Sequence, residues 1–387
     1  MSPQLALPNE IVERVPLTDV EKGHAPCKVC VTGVSGYLAS WIAKRLLLLG
    51  HHVVGTVRDV NGKATDELRA LAEGTPGSIE LVAAELTRDG SYDAAVAGCE
   101  LVIHPATPVA VNVGKNEAEE KVVRPAIQGV ENVLSAVEKS GTVKRVIYTG
   151  SMGAIQGDFE RPDSYVHTED DWATLEAATV PYTRSKILAE KRAWALFEAQ
   201  AGEQRWELCV INPGFIMGPP LTTRASKSVD VMRMMLTGKL WPMIPRMGFP
   251  VCDVREVAAA HCVAACDAAC RGRYIVGGPS MDLFEISDLL KPKYGHVLRL
   301  PAFYMPRWIL WLAAPAMDIE RGDAMKWMGR KSQASAERAK RELALEQLLV
   351  DKRVTMEDTA VACVCLDLVP SNRKLCRAVQ AELGGSK

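Results

Sequence analysis

No charge of one sign dominates this chain. Its 46 Lys+Arg stand against 47 Asp+Glu over 387 residues, so no global field favours nucleic acid or an anionic membrane surface. A phosphate-bearing ligand therefore has to be held by locally placed donors. Aromatic residues are scarce, at 6%, and are not interleaved with basic ones, which argues against a stacking platform for bases. Long hydrophobic runs are missing too: Trp308 to Met317 is about ten residues, short of the ~20 that a bilayer span needs. The first 26 residues have no basic stretch leading into an apolar one and are not Arg/Ser-rich, so neither a signal nor a transit peptide is expected. Eleven cysteines are present, but without framework spacing. An odd number of scattered thiols suits a reducing compartment, and the cytosol is the expected location.

What is there is an ordinary globular composition, 48% hydrophobic and 24% charged, in a chain long enough for one large α/β unit and a smaller lobe. Residues 1–26 read as an irregular extension. From Cys27 onward short β-branched runs alternate with helical periodicity. Strands are predicted at 27–32, 52–57, 78–84, 100–104, 143–149, 206–211 and 273–276. A helix is predicted over 36–49, where Leu38, Ile42, Leu46 and Leu49 recur at helical spacing before Gly50. Continuously apolar strands separated by helices imply a parallel sheet covered on both faces, a doubly wound (Rossmann) α/β fold. After Pro213 the pattern is broken by Pro219, Pro220, Pro242, Pro245 and Pro250. The expected division is 27–213 plus 251–278 for a dinucleotide-binding domain, with 214–250 plus 279–387 forming a smaller C-terminal substrate-binding lobe.

The first predicted strand runs into Thr32-Gly33-Val34-Ser35-Gly36-Tyr37-Leu38-Ala39 and then a helix. Gly33 permits the tight turn, Gly36 lets the backbone approach a pyrophosphate, and the helix N-terminus offers free N–H groups. The third position has to be small, and Ala39 is. With a strand before it and an amphipathic helix after it, the loop points to a dinucleotide cofactor, contacted from Thr32, Gly33, Ser35, Gly36, Tyr37 and Leu38. The second strand ends at Val57-Arg58-Asp59. Arg58 stands where a 2′-phosphate is read, which favours NADP(H), with Lys63 a few residues on as a helper; Asp59 next door leaves use of NAD open as well.

Tyr182 and Lys186 are four residues apart at the start of a predicted helix, so they project toward one point. A free phenol holds its proton up to about pH 10. An ammonium held beside a phenol favours the ionised form and brings proton exchange nearer neutrality. Lys186 is also placed to hold the nicotinamide ribose. The fifth strand, 143–149, leads into Gly150-Ser151-Met152 at the sheet edge where ligands bind, and Ser151 there can donate to a carbonyl oxygen as charge develops. A glycine loop, a strand-end serine and a YxxxK in this order make one constellation: Ser151, Tyr182 and Lys186 as catalytic residues.

The chain resembles the extended short-chain dehydrogenase/reductases, and among them the dihydroflavonol reductase/cinnamoyl-CoA reductase-like group. The likeness runs from about Cys27 to Leu343 through VTGVSGYLA, GTVRD, VAGCELVIHPATP, RPAIQGVENVL, VKRVIYTGSMGAI, YTRSKILAEK, INPGFIMGPP, DVREVAAAH and SAERAKREL. It implies the Ser151–Tyr182–Lys186 triad, nicotinamide contacts from Pro213, Gly214, Phe215 and Ile216, and a cofactor channel lined by Ala106 and Thr107. It further implies substrate contact at Gln156. Glu85, followed by Leu86, stands where the group generally has an adenine-contacting Asp. Two departures bear on substrate: Thr149-Gly150-Ser151 replaces the usual TSS, and Thr179-Val180-Pro181 precedes Tyr182 in place of the cinnamoyl-CoA reductase signature.

Other features are expected to be structural. Cys262, Cys266 and Cys270 form one stripe of an Ala-rich helix, with His261 off that stripe, and no metal site is expected. Cys27 and Cys30 lie within the first strand, which does not suit a redox pair. His104 is expected to pack near the cofactor. The stretch 331–346 reads as the solvated face of a late helix, and Trp308–Ala316 as core or pocket wall, with a lipid-facing patch as the alternative. The expected activity is NADPH-dependent reduction of a small-molecule ketone or aldehyde to an alcohol. The rivals are a nucleotide-sugar epimerase or dehydratase that retains NAD, and a non-catalytic dinucleotide-binding sensor.

Overall fold

Strands form at Lys28–Val31 (β1), His52–Val57 (β2), Ser78–Ala83 (β3), Leu101–His104 (β4), Arg145–Thr149 (β5) and Glu207–Pro213 (β6) in the computed structural model. Two strands, Phe215–Met217 (β7) and Gly248–Asp253 (β8), precede the last of the predicted set, Gly272–Val276 (β9). The structure describes residues 7–62, 64–107, 115–201, 205–224, 226–317 and 320–384. The order β9-β6-β5-β4-β1-β2-β3 is parallel throughout, a doubly wound sheet. Val29 of β1 pairs with Val53 on one side and Leu101 of β4 on the other. The winding direction reverses between β1 and β4, and the crevice at their carboxyl ends is where such sheets take ligands.

Alternation along the strands separates the core into two. Val29, Val31, Ile103, Ile147 and Ile211 face one apolar cluster; Cys30, Val54, Val102, Val146 and Val210 face the other. Each fully buried aliphatic side chain contributes about 1.5–3 kcal/mol, so strands covered on both faces hold the sheet together.

The helices used below are Asn9–Val12 (α1), Asp19–Gly23 (α2), Tyr37–Leu48 (α3), Ala64–Ala70 (α4), Arg124–Ser140 (α5), Gly153–Gln156 (α6), Pro181–Glu198 (α7), Lys227–Leu236 (α8), Val254–Cys266 (α9) and Lys352–Cys365 (α10). α3 and α9 cover one face of the sheet, and α5 the other. A third cluster lies outside the sheet, built from Met232 and Met235 of α8 with Ile286, Leu290, Met356 and Cys363.

Four expectations are corrected. The N-terminal segment is not irregular: Thr18 caps α2 with a reciprocal Glu21 contact, and the buried Glu21 pairs with Arg45 of α3. The cysteine stripe is two thiols, not three. α9 ends at Cys266, Asp267 accepts from the Ala269 amide to start a turn, and Cys270 lies beyond it. The stretch 331–346 is α-helical only over Glu337–Glu342 and is docked, with Ala339 and Leu343 fully buried and Arg338 over the Tyr274 ring. Helix Arg307–Ala313 is not core: Trp308 is 66% and Leu312 58% exposed, and only Leu310 faces inward.

Candidate active site at the sheet edge

At the end of β1 the chain enters the glycine loop with Gly33 at φ +59°, a left-handed conformation that costs other residues energy. A Cβ at Gly33 would lie 3.1 Å from the Ala106 Cβ, so the loop after β4 closes directly on the turn. No side chain caps α3, whose N-cap is Gly36; its first amides are left for an anion. Leu38 is buried beneath the loop, and Tyr37 donates from its hydroxyl to Gly218 O at 2.7 Å. These features fit a dinucleotide pyrophosphate.

Thr32 links this loop to β4. Its hydroxyl accepts from the Ala106 amide at 3.2 Å and lies 2.8 Å from His104 Nδ1. Burial, helped by the Lys186 charge, pushes His104 down to about 3, so the ring is neutral where it shares a hydrogen bond with Thr32. Thr107 is half-buried at the end of the described loop. Arg58 emerges exposed after β2, and the exposed Asp59 beside it accepts from the Asn61 amide at 2.9 Å. Lys63 lies outside the described residues. Glu85 is exposed, its amide taken by Ser91 Oγ, and Leu86 packs so closely on α5 that a Cβ at Gly129 would lie 2.5 Å from Leu86 Cγ.

Helix α7 starts at Pro181, whose missing N–H costs nothing at the first helical position. Tyr182 is 49% exposed, whereas Lys186 is 4% exposed with its Nζ 5.8 Å from the centre of the Tyr182 ring. The helix thus opens the phenol to the cleft and buries the ammonium beneath it. No hydrogen bond from Lys186 Nζ or the Tyr182 hydroxyl is found among the described residues. Ser151 lies near the start of α7 across Gly153: its Oγ accepts from the Gly153 amide at 3.1 Å, and a Cβ at Gly153 would lie 3.5 Å from that Oγ and 3.9 Å from Thr183 Cα. Pro213 accepts from the Met152 amide at 3.0 Å, and Gly214 passes so near Pro250 O that no side chain fits. Phe215 and Ile216 continue in β7 beside β8. Gln156, at the end of α6, is buried with Oε1 unpartnered among the described residues, as an amide awaiting a ligand would be.

Sequence reasoning missed the frame that carries Ser151. Asn212 Nδ2 donates to Ser151 O and to Glu190, which pairs at 2.6 Å with Arg273. A Cβ at Gly150 would lie 2.4 Å from Asn212 Nδ2 and 2.8 Å from Glu190 Oε2, which explains why Gly replaces the first serine of the expected TSS. Glu190 was the detectable member: it follows Lys186 by one further helical turn on the same face. His261 Nε2 lies 2.8 Å from Thr149 Oγ1 and fastens the end of β5 to α9.

Buried His104 and His261 make the fold sensitive to acid. Burial pushes His261 down to about 4, as burial and Lys186 do His104 to about 3, while an unfolded histidine titrates near 6.5. Between those values the unfolded chain binds more protons, so stability is full above about pH 6.5 and falls as pH drops. Each ring contributes up to about 1.4 kcal/mol per pH unit. Urea unfolding at pH 7.5, 6 and 5 is expected to show a steep loss that His261→Gln reduces; a flat profile would refute it.

Among the described residues His24, Cys27 and His51 form a grouping of metal-ligand type, remote from the residues above. His51 Nδ1 is already used by the Cys27 amide at 3.0 Å. A cavity of about 280 Å³ lined by Val12, Leu17, Trp41, Lys44 and Leu48 shares no residue with the triad. No helix among the described residues is long and apolar enough to cross a membrane.

Residues 29–277 match the NAD dependent epimerase/dehydratase family. The chain is 36% identical over 277 residues to tetraketide alpha-pyrone reductase 1 of Arabidopsis thaliana, covering 70% of this chain and 82% of that one. It is 34% identical over 280 residues to cinnamoyl-CoA reductase CAD2 of Medicago truncatula, covering 70% and 82%. In fold it is similar to yeast methylglyoxal/isovaleraldehyde reductase Gre2 complexed with NADPH, with TM-score 0.72, 23% identity, and 88% and 99% of the two chains covered. The chain belongs to the NAD dependent epimerase/dehydratase family, in its dihydroflavonol reductase/cinnamoyl-CoA reductase-like group.

Proposed function

We propose that this protein is an NADPH-dependent reductase that converts a small-molecule ketone or aldehyde to an alcohol. The observation that carries the reading is the pairing of an open Tyr182 phenol with a buried Lys186 ammonium, next to His104 and Thr32 at the sheet's switch point. Tetraketide alpha-pyrone reductase 1, anthocyanidin reductase, dihydroflavonol 4-reductase and cinnamoyl-CoA reductase CAD2 are reductases by name, which supports the direction and the reaction class. We read residues 27–213 with 251–278 as the cofactor-binding domain and 214–250 with 279–387 as the substrate lobe. The separate apolar cluster of α8 and α10 supports that division.

Bound nicotinamide supplies a hydride to the carbonyl carbon. Ser151 donates to the carbonyl oxygen and holds it at the cleft. Tyr182 gives that oxygen its proton, leaving a phenolate beside the Lys186 ammonium, and takes a proton back from solvent through its exposed edge. Gly33, Gly36 and the open amides of α3 hold the pyrophosphate; Arg58 reads the 2′-phosphate, since Asp59 is engaged in its own turn. Ala106, Thr107 and Pro213 to Ile216 line the nicotinamide channel, and Gln156 contacts the substrate.

NADPH oxidation across aldehydes, flavonoid-like ketones and sterol ketones tests the reading. Turnover with at least one class is expected, and protein purified with firmly held NAD and no NADPH oxidation would favour an epimerase or dehydratase instead.

A further inference from the structure

The segment that leaves the sheet after β7 crosses back over the glycine loop and is fastened on both sides. Tyr37 donates to Gly218 O, and Trp41 Nε1 donates to Pro219 O at 2.8 Å, both from α3. Thr223 donates from its amide and hydroxyl to Glu67 of α4, at 2.9 and 2.7 Å. This strap sets Arg224 against the cofactor loop, where its Nη1 donates to Ser35 Oγ. Arg58 leaves β2 at the same end of the site. Partial burial, and after it the Arg58 charge, hold Arg224 below the ordinary guanidinium range, so the two cations feel each other. Neither forms an ion pair with a carboxylate among the described residues.

Arg58 follows Thr56, whose Oγ1 and O accept from the Gly33 and Val34 amides, so both guanidiniums stand beside the same glycine loop without a carboxylate partner, a placement that favours a dianion between them. Arg presents a planar fork suited to phosphate oxygens, and charge-assisted contacts of this kind are the strong ones. We propose that Arg224 is a second guanidinium for the 2′-phosphate of NADP, brought by the 218–224 strap to join Arg58, and thus a residue that sets preference for NADP over NAD. The inference rests on the reading that the chain uses NADPH. It adds a residue from outside the strand-two signal, on the segment that opens the substrate lobe, so phosphate recognition couples the lobe's first loop to the cofactor loop.

The test is calorimetric binding of 2′,5′-ADP and of 5′-ADP to the full chain, without turnover. Arg224→Gln is expected to weaken 2′,5′-ADP about 10- to 100-fold, the effect of losing one charged hydrogen-bonding partner, and to leave 5′-ADP within about threefold. Arg224→Lys, which keeps the charge without the fork, is expected to fall between; it also serves should the Gln variant fail to fold. A Gln variant that keeps the wild-type preference for 2′,5′-ADP overturns the proposal, as does equal weakening of both ligands, which would place Arg224 on the diphosphate. If the wild-type chain itself shows no preference between the two, the NADPH reading fails first, and the result is distinguishable from failure of Arg224 alone.

Discussion

Tyr182→Phe is expected to lower kcat for NADPH-dependent carbonyl reduction by about 10²- to 10⁴-fold, the usual worth of a positioned proton donor. The substitution removes one oxygen and little else. The ring stays, so its contact with the Lys186 ammonium at 5.8 Å is retained. The hydroxyl has no hydrogen-bond partner among the described residues, so folding stability should change by no more than about 0.5 kcal/mol. Binding of NADPH, followed by fluorescence, should stay within a few-fold of wild type. Lys186→Met is expected to differ, weakening NADPH binding as well as turnover, because the ammonium is shared between phenol and ribose in the proposed arrangement. Turnover of Tyr182→Phe within about fivefold of wild type would remove Tyr182 from the mechanism.

Arg255→Ala is expected to destabilise the fold by about 3–5 kcal/mol, the range for breaking a buried ion pair, and to sit at its upper end because two carboxylates are left behind. The Arg255 side chain is 1% exposed, Asp253 0% and Asp358 9%, with both contacts at 2.6 Å. Asp253 also caps α9, and Asp358 lies on α10, so one guanidinium joins α9 to α10. It donates to Ile11 O as well, while Arg14 reaches the same Asp358. Losing Arg255 should therefore loosen the N-terminal segment before the rest. Limited proteolysis is expected to cut within residues 7–24 first, alongside a lower urea midpoint. If Arg255→Met with Asp358→Asn recovers most of the loss, the penalty came from stranded charge. A midpoint unchanged in Arg255→Ala would refute the account.

The sheet was legible because its signals are local. Seven apolar runs, each bounded by turn residues, gave strands that match the observed ones to within one or two residues. The helix after the glycine loop was equally plain, with Gly50 at φ +84° ending it as expected. Errors fell where burial depends on distant partners. The Trp308–Leu312 run has core composition, yet only Leu310 finds a place to pack inward. Cys270 continues the four-residue spacing of Cys262 and Cys266, but Asp267 ends the helix before the repeat is used.

By itself the sequence determined the doubly wound sheet and the glycine loop, and it placed Ser151 at a strand end and Tyr182 and Lys186 on one helix face, because strand period, helix spacing and turn chemistry act over a few residues. Tertiary structure alone decided what surrounds them. Arg224 meets Ser35 across 189 positions, Arg14 meets Asp358 across 344, and Asn212 meets Ser151 across 61. No periodicity encodes such pairs. They form because chain closure brings separate polar groups into the same dry space, where each must find a partner or lose its hydration without return.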